Sequence, residues 1–368
     1  MIQFLAFCRT RRTLLLGGGG LLLVVLAVLF GRDLFTRHNP LLDTPQLALE
    51  ALQSKSLYYN GRARSWLLAQ RPDLLTADDR DPDSERSRML PQAVQNWKFF
   101  RQLERRFRFD TLLFVGDPSE YKPLLDHLVD TKDFTLRYVD HTSMIFRRDS
   151  GRPWELADFA AVRAHFAKGR AREQAEVLAQ TAIKLLAAKQ PEPAKALLDD
   201  ATGLAPREPH VANAMATYYL GRGEWRQASE QIERALSADA DFLPALATKT
   251  QLLYGMRRYD EAYELSKDLI TKFPDDPILL FYHAKISHEA HAYGTEVATL
   301  KKLIAQAEGE SRPVGGYQLY LGQAYAEMGD AKGALEAFML SLDDPDLPDD
   351  QRAFARDNIT RIKKRTGL

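Results

Sequence analysis

The amino-acid sequence predicts a mainly helical protein in three parts: a single transmembrane helix, a small α/β module, and a C-terminal α-solenoid closed by a capping helix. Three observations carry this prediction. Residues 13–30 form an uncharged apolar run, and residues 31–150 alternate between strand and helix patterns. From residue 175 onward, a unit of about 34 residues recurs. The composition, 45% hydrophobic and 27% charged, is typical of globular domains.

The apolar run is the predicted membrane anchor. At ~1.5 Å per helical residue, residues 13–30 span about 27 Å, which matches the hydrocarbon core of a bilayer. Three arginines precede the run, whereas Arg32 and Arg37, partly offset by Asp33, follow it. This bias predicts that residues 1–12 are cytoplasmic and that the bulk of the chain is extracytoplasmic, which in a bacterium is the periplasm. A cleaved signal peptide is the alternative, but residues 27–31 lack a small-x-small cleavage site.

Ala27 and Gly31 place two small residues one helical turn apart on the anchor. This spacing lets another membrane helix approach closely, so homo-oligomerisation through Ala27 and Gly31 is an open alternative. Small residues are also common in membrane helices that pair with nothing.

Charge and cysteine content exclude several classes of function. Lys plus Arg and Asp plus Glu both number 50, so the chain has no cationic excess to drive nucleic-acid binding. The single cysteine, Cys8, excludes an intrachain disulfide and a multi-thiolate zinc site. His288 and His291 share a predicted helical face, but no third ligand accompanies them. No nucleotide-binding, zinc-protease or serine-hydrolase motif appears. The sequence therefore predicts no catalytic residues, no cofactor and no metal.

The module, residues 31–150, contains one clear strand–turn–helix unit. Residues 109–115 form an apolar strand, and Asp117 with Pro118 is suited to start the next helix, with Glu120 completing a capping box. Residues 134–139 and 143–148 alternate around a turn at residues 140–142, which predicts a β-hairpin. Ahead of this unit, the predicted elements are a short helix at 45–55, a polar loop at 76–88 and a helix at 91–107 whose aromatic rings belong to the core.

This stretch resembles a soluble module that follows the membrane helices of polytopic lipid-linked-sugar glycosyltransferases. The resemblance lies in the strand with Phe109-Asp110, the helix, and the hairpin ending in Phe146-Arg147-Arg148. It implies an extracytoplasmic location and a link to envelope assembly. It brings no catalytic residues, since catalysis in those enzymes lies in the polytopic part. The alternative function is accordingly an accessory or recognition factor in lipid-linked-sugar and cell-envelope glycan biosynthesis.

Small and aromatic residues recur with the repeat period in the C-terminal half. The strongest unit carries Gly322, Tyr325, Ala334 and Phe338. Small residues let the two helices of a hairpin touch, and aromatic residues fill the space between hairpins, so the units are expected to stack. A lead-in helix and linker at 151–174 precede the array, and a capping helix lies in 347–368. The predicted units are 175–208, 209–242, 243–276, 277–314 (degenerate, with an insertion) and 315–346.

The array resembles the tetratricopeptide-repeat (TPR) family. The resemblance implies a non-enzymatic scaffold that binds proteins and peptides along the concave face formed by the first helices. Together with the predicted anchor, it favours an accessory or assembly subunit of a larger membrane complex. Ala179 and Ala247 replace the long polar side chains of the basic peptide clamp found in some members. For each residue expected to face inward, ordinary solvent exposure explains a polar side chain as well as contact with a partner does. The residues expected to face inward are His210, Asn213, Thr217, Gln251, Tyr254, Phe281, Lys285, His288, Gln323 and Glu327.

Overall fold

A computed structural model of the chain describes residues 45–94, 96–148, 151–309, 313–344 and 347–367. None of the helices within these ranges is long and apolar enough to cross a membrane. The predicted anchor and its contact residues, Ala27 and Gly31, lie outside the described residues. The prediction of a mainly helical chain with one small sheet is confirmed.

A four-stranded mixed sheet organises the module, in the order β1-β2-β4-β3. β1 pairs parallel to β2, and β4 pairs antiparallel to both β2 and β3. The predicted strand and hairpin are therefore confirmed as β2, β3 and β4. β1 was not predicted, because its three residues are all buried and show no alternation. The strands are β1 (Leu57–Tyr59), β2 (Thr111–Val115), β3 (Thr135–Val139) and β4 (Ser143–Arg147).

Helices cover the sheet, and an aromatic core lies between them and the strands. The rings of Tyr58 and Phe100 meet edge to face at 5.2 Å, and those of Phe114 and Tyr121 stack at 4.7 Å. All four side chains are buried. The helices of the module are α1 (Gln46–Ala51), α2 (Gly61–Gln70), α3 (Ala77–Arg80), α4 (Glu85–Met89), α5 (Trp97–Phe107) and α6 (Lys122–Thr131).

The prediction of a polar loop at residues 76–88 was wrong, since this segment forms α3 and α4. The carboxylate of Asp79 is buried and accepts hydrogen bonds from the Tyr59 hydroxyl at 3.0 Å and from Arg86 Nε at 2.7 Å. The Thr76 hydroxyl oxygen accepts a hydrogen bond from the backbone N–H of Asp79 and so caps the N-terminus of α3. Buried charges persist where they are paired and hydrogen-bonded, and a count of polar residues cannot reveal such pairing.

Two other details of the module differ from prediction. The helix expected over 91–107 begins only at Trp97, after a 3₁₀ turn at Leu90–Val94. Its ring at Phe100 is fully buried, but Trp97 is 38% exposed and stacks on His127 at 4.4 Å. Glu120 does not complete a capping box, because its carboxylate pairs with Arg62 at 2.7 Å.

The C-terminal part is a tandem array of antiparallel helical hairpins. The lead-in helix is shorter than expected. The backbone N–H of Trp154 donates a hydrogen bond to the carbonyl of Leu136 on β3, so the chain is still extended there. A 3₁₀ turn at Leu156–Phe159 follows, and only Ala160–Phe166 is α-helical (α7). A single helix α18 (Asp349–Thr366) follows the hairpins. The hairpins are α8 (Ala171–Ala187) with α9 (Pro191–Leu204), α10 (Pro209–Gly221) with α11 (Trp225–Ala238), α12 (Leu243–Gly255) with α13 (Tyr259–Lys272), α14 (Pro277–Glu289) with α15 (Tyr293–Gly309), and α16 (Gly315–Glu327) with α17 (Ala331–Asp343).

Small residues at equivalent positions allow close helix contact within four of the five described hairpins, as the sequence predicted. A Cβ atom on Gly322 of α16 would lie 2.7 Å from Cδ1 of Phe338 on α17, so only glycine fits there. The alanines at these contact positions are also fully buried: Ala182, Ala194, Ala216, Ala228, Ala262 and Ala334.

The degenerate fourth hairpin keeps the architecture with a longer second helix. α15 has 17 residues, whereas the other second helices have 13 or 14. Glu296 occupies the position where a small residue is usual, and it is almost fully buried. Its carboxylate accepts a hydrogen bond from His288 Nδ1 at 3.0 Å, which compensates for the burial.

The module covers the first hairpin of the array. The β-hairpin turn at residues 140–142 is buried, although a turn of this kind is usually at the surface. The His141 carbonyl accepts a hydrogen bond from Lys184 Nζ of α8 at 2.7 Å, and the His141 ring packs edge-on against Phe166 of α7 at 5.0 Å. Lys189 also pairs with Asp130 of α6. The module thus takes the place of a preceding repeat, and it covers the apolar end that a solenoid must protect.

Burial of Lys184 has an electrostatic consequence at this junction. Burial lowers the pKa of its ammonium group to about 8, although the carboxylates of Asp140, Asp117 and Glu120 oppose the shift. The charged form is therefore tolerated at neutral pH because three carboxylates surround it.

Candidate partner-binding groove

The first helices of the hairpins form the inner side of the array. In a solenoid of stacked hairpins, this side is the concave surface available to a partner. α10 packs against both α8 and α12, so the first helices form a continuous row in this part of the array. Side chains of α12, α14 and α16 contact one another farther along the array, and the surface that they form is the candidate groove.

Aromatic side chains from three consecutive first helices meet in this groove. The Phe281 ring of α14 packs edge-on against Tyr317 and Tyr320 of α16, at 5.8 and 5.6 Å. The ammonium of Lys285 lies over the Tyr254 ring of α12 and the Phe281 ring, at 5.8 and 5.9 Å. All five side chains are half-buried, which leaves part of each ring accessible. We call Tyr254, Phe281, Lys285, Tyr317 and Tyr320 the aromatic groove.

Carboxylates gather at one end of the groove. Glu289 ends α14 and Glu327 ends α16, and both interact electrostatically with His288. Within the part of the chain that the structure describes, neither Glu289 nor Glu327 forms a hydrogen bond or an ion pair through its side chain. Glu296 contributes a third carboxylate, which His288 already neutralises in part. We call Glu289, Glu296 and Glu327 the acidic corner.

The protonation equilibria reflect this excess of negative charge. The hydrogen bond to Glu296 raises the pKa of His288, and the carboxylates of Glu289 and Glu327 add to that shift. Burial raises the pKa of Glu296, and His288 works against this effect. Burial also raises the pKa of Tyr254, with a further contribution from Glu289. A cation bound at the acidic corner would relieve this repulsion.

Five of the ten residues predicted to face inward belong to the aromatic groove or contact its acidic corner. Of the other five, Gln323 lies between Tyr320 and Glu327 on α16, and four have other surroundings. Tyr254, Phe281, Lys285, His288 and Glu327 are those that the structure brings together. On α10, Thr217 donates to the Asn213 carbonyl within its own helix, and the His210 ring packs against Phe242 at 4.7 Å. Gln251 is exposed beside a small cavity of about 40 Å³, and Gln323 is half-buried.

Tyr317 and Tyr320 were not among the predicted inward residues. Their spacing on α16 is one helical turn, and Tyr320 lies one turn before Gln323, which was predicted to face inward. A wider angular window on the first helix would have included Tyr320. The contact of both rings with Phe281 depends on how α14 and α16 pack, which the sequence does not specify.

The predicted shared face of His288 and His291 was wrong. α14 ends at Glu289, and His291 follows in a turn with a φ of 58°. The His291 ring nitrogen contacts the Tyr293 hydroxyl at 2.7 Å, whereas His288 contacts Glu296. The two imidazoles therefore serve different local hydrogen bonds.

A second concavity lies between the lead-in helix and the first hairpin. It has a volume of about 340 Å³ and apolar walls that include Phe159, Phe166 and Leu178. Arg163 of α7 and Asp200 of α9, which also line it, form an ion pair at 2.6 Å. This ion pair ties the lead-in helix to the array.

The fold is an α-solenoid of helical hairpins capped by a small α/β module. Among the three comparisons with known proteins, only the search of solved structures finds similar chains. No family model matches the chain, and no curated protein matches it. The glycosyltransferase resemblance of the module consequently has no support from these comparisons.

Similar solved structures include TPR proteins. YrrB, described as a TPR protein with an unusual peptide-binding site, is 15% identical and covers 54% of this chain and 98% of its own, with a TM-score of 0.43. TTC0263, a thermophilic TPR protein of Thermus thermophilus, is 16% identical over 50% of this chain and 97% of its own, with a TM-score of 0.40. PilW, a widely conserved type IV pilus biogenesis factor, is 17% identical over 52% of this chain and 91% of its own, with a TM-score of 0.44.

Proposed function

We propose that this chain is a membrane-anchored scaffold that holds a partner protein in the aromatic groove, as an accessory or assembly subunit of a larger membrane complex. The observation that carries the proposal is the row of half-buried rings on α12, α14 and α16. Aromatic side chains supply much of the binding energy in protein interfaces because they bury a large area at a small cost in side-chain entropy. Here the hairpin cores fix one side of each ring and leave the other side accessible.

The anchor completes the proposal. Residues 13–30 would span the membrane and residues 1–12 would remain cytoplasmic, so that the module and the array lie outside the cytoplasm. A tethered groove holds its partner at the membrane, where a modest affinity is sufficient because the tether raises the effective concentration.

The test compares groove variants with a matched surface variant. The full chain, purified in mild detergent, should retain stoichiometric partners that Phe281→Ala together with Tyr320→Ala loses. Phe273→Ala is the control, because Phe273 directly follows the second helix α13 and is 40% exposed. Truncating each of two half-buried rings should cost about 1–2 kcal/mol, so the double variant should bind at least tenfold more weakly. Equal retention of partners by the double variant and the control would refute the proposal.

A further inference from the structure

The aromatic groove and the acidic corner lie at fixed levels along two neighbouring helices. On α14, Phe281, Lys285 and Glu289 follow each other at intervals of four residues and therefore share one face. On α16, Tyr320 lies level with Phe281, because their rings are 5.6 Å apart. Glu327 follows Tyr320 by seven residues and His288 follows Phe281 by seven residues, so the first helices α14 and α16, which run in the same direction, place Glu327 level with His288.

Along the axes of α14 and α16, the groove therefore has three levels: an apolar level at Phe281 and Tyr320, a middle level, and an acidic level at Glu289 and Glu327. The helical rise separates Phe281 from Glu289 by about 12 Å, and Tyr320 from Glu327 by about 10 Å. Lys285 and Gln323 occupy the middle level, where an ammonium and a carboxamide can donate hydrogen bonds to backbone carbonyls. An extended chain advances about 3.3 Å per residue, so a peptide along this path covers the distance in about three to four residues.

We propose that the groove binds an extended peptide segment with an apolar side chain and, three or four residues away, a lysine or arginine. The apolar side chain packs against Phe281 and Tyr320, and the basic side chain reaches Glu289 and Glu327. This inference rests on the proposed function, since it specifies the partner of the same groove.

Charge complementarity selects a basic partner over an acidic one. Glu289 and Glu327 form no ion pair in the described ranges, and His288, the cationic group that they influence, is hydrogen-bonded to Glu296. An acidic side chain at this level would add a fourth carboxylate, whereas a lysine or arginine would neutralise charge that His288 offsets only in part. Lys285 does not supply this neutralisation, because it is one helical turn away over the rings of Tyr254 and Phe281.

The test is a selection of random short displayed peptides on the detergent-solubilised full chain, followed by binding measurements with the selected peptides. Enriched peptides should carry an apolar residue and, three or four positions away, Lys or Arg. Changing that basic residue to Glu should weaken binding by about tenfold, with a smaller effect at high salt because ionic strength screens the contact.

Charge reversal in the protein gives the sharper result. Glu289→Lys with Glu327→Lys should switch the enriched residue from basic to acidic, since specificity then depends on the reversed charge. Both substitutions place a cation at a helix C-terminus, where it is favourable, so the fold is expected to persist. Glu327→Gln is a milder second variant, and it should reduce the preference for a basic residue without reversing it. Glu233→Lys, an exposed change on the second helix α11, is the control and should leave the preference unchanged.

The outcomes separate this inference from the proposed function. If Phe281→Ala abolishes enrichment but charge reversal leaves the preferred charge unaltered, the groove binds peptides and the inference of a basic partner is wrong. Enrichment of acidic residues on the natural sequence would also overturn the inference while sparing the proposed function. If the natural chain and Phe281→Ala enrich the same peptides, both the inference and the proposed function fail.

Discussion

Replacing Gly322 by alanine tests whether close contact between helices holds each hairpin together. An alanine Cβ at this position would lie 2.7, 2.8 and 2.9 Å from three atoms of the Phe338 ring. Contacts this short are repulsive, so the ring must move by about 0.7 Å to reach ordinary van der Waals distance. Phe338 is fully buried in a cluster with Leu319, Leu335 and Ile362, so it has little space for such a movement.

Two opposing contributions determine the expected magnitude for Gly322→Ala. Overpacking of a dense core costs about 1–3 kcal/mol, and replacing a helical glycine by alanine gains about 1 kcal/mol. The net expectation is a loss of about 1 kcal/mol in the free energy of unfolding. Gly316→Ala is the matched control on the same helix, because no atom of the described residues beyond its chain neighbours and its own helix backbone lies within 4 Å of the new Cβ. It should be neutral or gain up to about 1 kcal/mol.

Urea-induced unfolding followed by circular dichroism provides the measurement, on both variants and on Gly322→Ala combined with Phe338→Leu. The smaller leucine should relieve the clash, so the two changes should be less harmful together than the sum of their separate effects, by about 1 kcal/mol. If Gly322→Ala stabilises the chain as much as Gly316→Ala does, the reasoning about helix contact is wrong.

Three further predictions concern buried charge and topology. Burial lowers the pKa of His283 to about 4. Below pH 6.5 the unfolded chain therefore binds a proton at this imidazole that the folded chain does not bind. The free energy of unfolding should fall by about 3 kcal/mol as the pH drops from 6.5 to 4. His283→Phe should remove most of that dependence in urea titrations at several pH values, and an unchanged dependence would contradict the assignment. Burial also lowers the pKa of Lys184 to about 8 from its ordinary 10.5, so stability should rise with pH between these values, and Lys184→Met should flatten that rise in the same assay. In intact cells, a membrane-impermeant maleimide should fail to label Cys8 and should label a cysteine introduced by Ala240→Cys, an exposed array position, and the reverse pattern would invert the proposed topology.

The hydrogen bonds around His283 explain why protonation is unfavourable there. The Ser266 hydroxyl donates to the Tyr263 carbonyl at 2.9 Å, so His283 Nδ1–H must donate to Ser266 Oγ across 2.7 Å. His283 Nε2 then carries the lone pair, and it is buried with no hydrogen-bond partner among the residues that the structure describes. A proton added at Nε2 would place a charged donor in a site with no acceptor.

The repeat period and the small residues were sufficient to predict the array. A hairpin of this type has to place small side chains where its helices touch. Residues such as Ala216 and Gly322 therefore indicate in the sequence where two helices are in contact. The module was harder to predict from the sequence. β1 is too short to show a period, and the buried pair of Asp79 and Arg86 has the composition of a solvent-exposed loop.

The sequence by itself determined the helical hairpins, their order, the hairpin of the module and half of the residues that line the groove, because local periodicity decides which face of a helix or strand is buried. Only the tertiary structure decided that the module caps the array through Lys184 and a buried turn, and that Tyr317 and Tyr320 join Phe281. It also decided that Glu289 and Glu327 gather at one end of the groove. These features depend on how elements distant in sequence pack together, and periodicity within one element contains no information about the element that covers it.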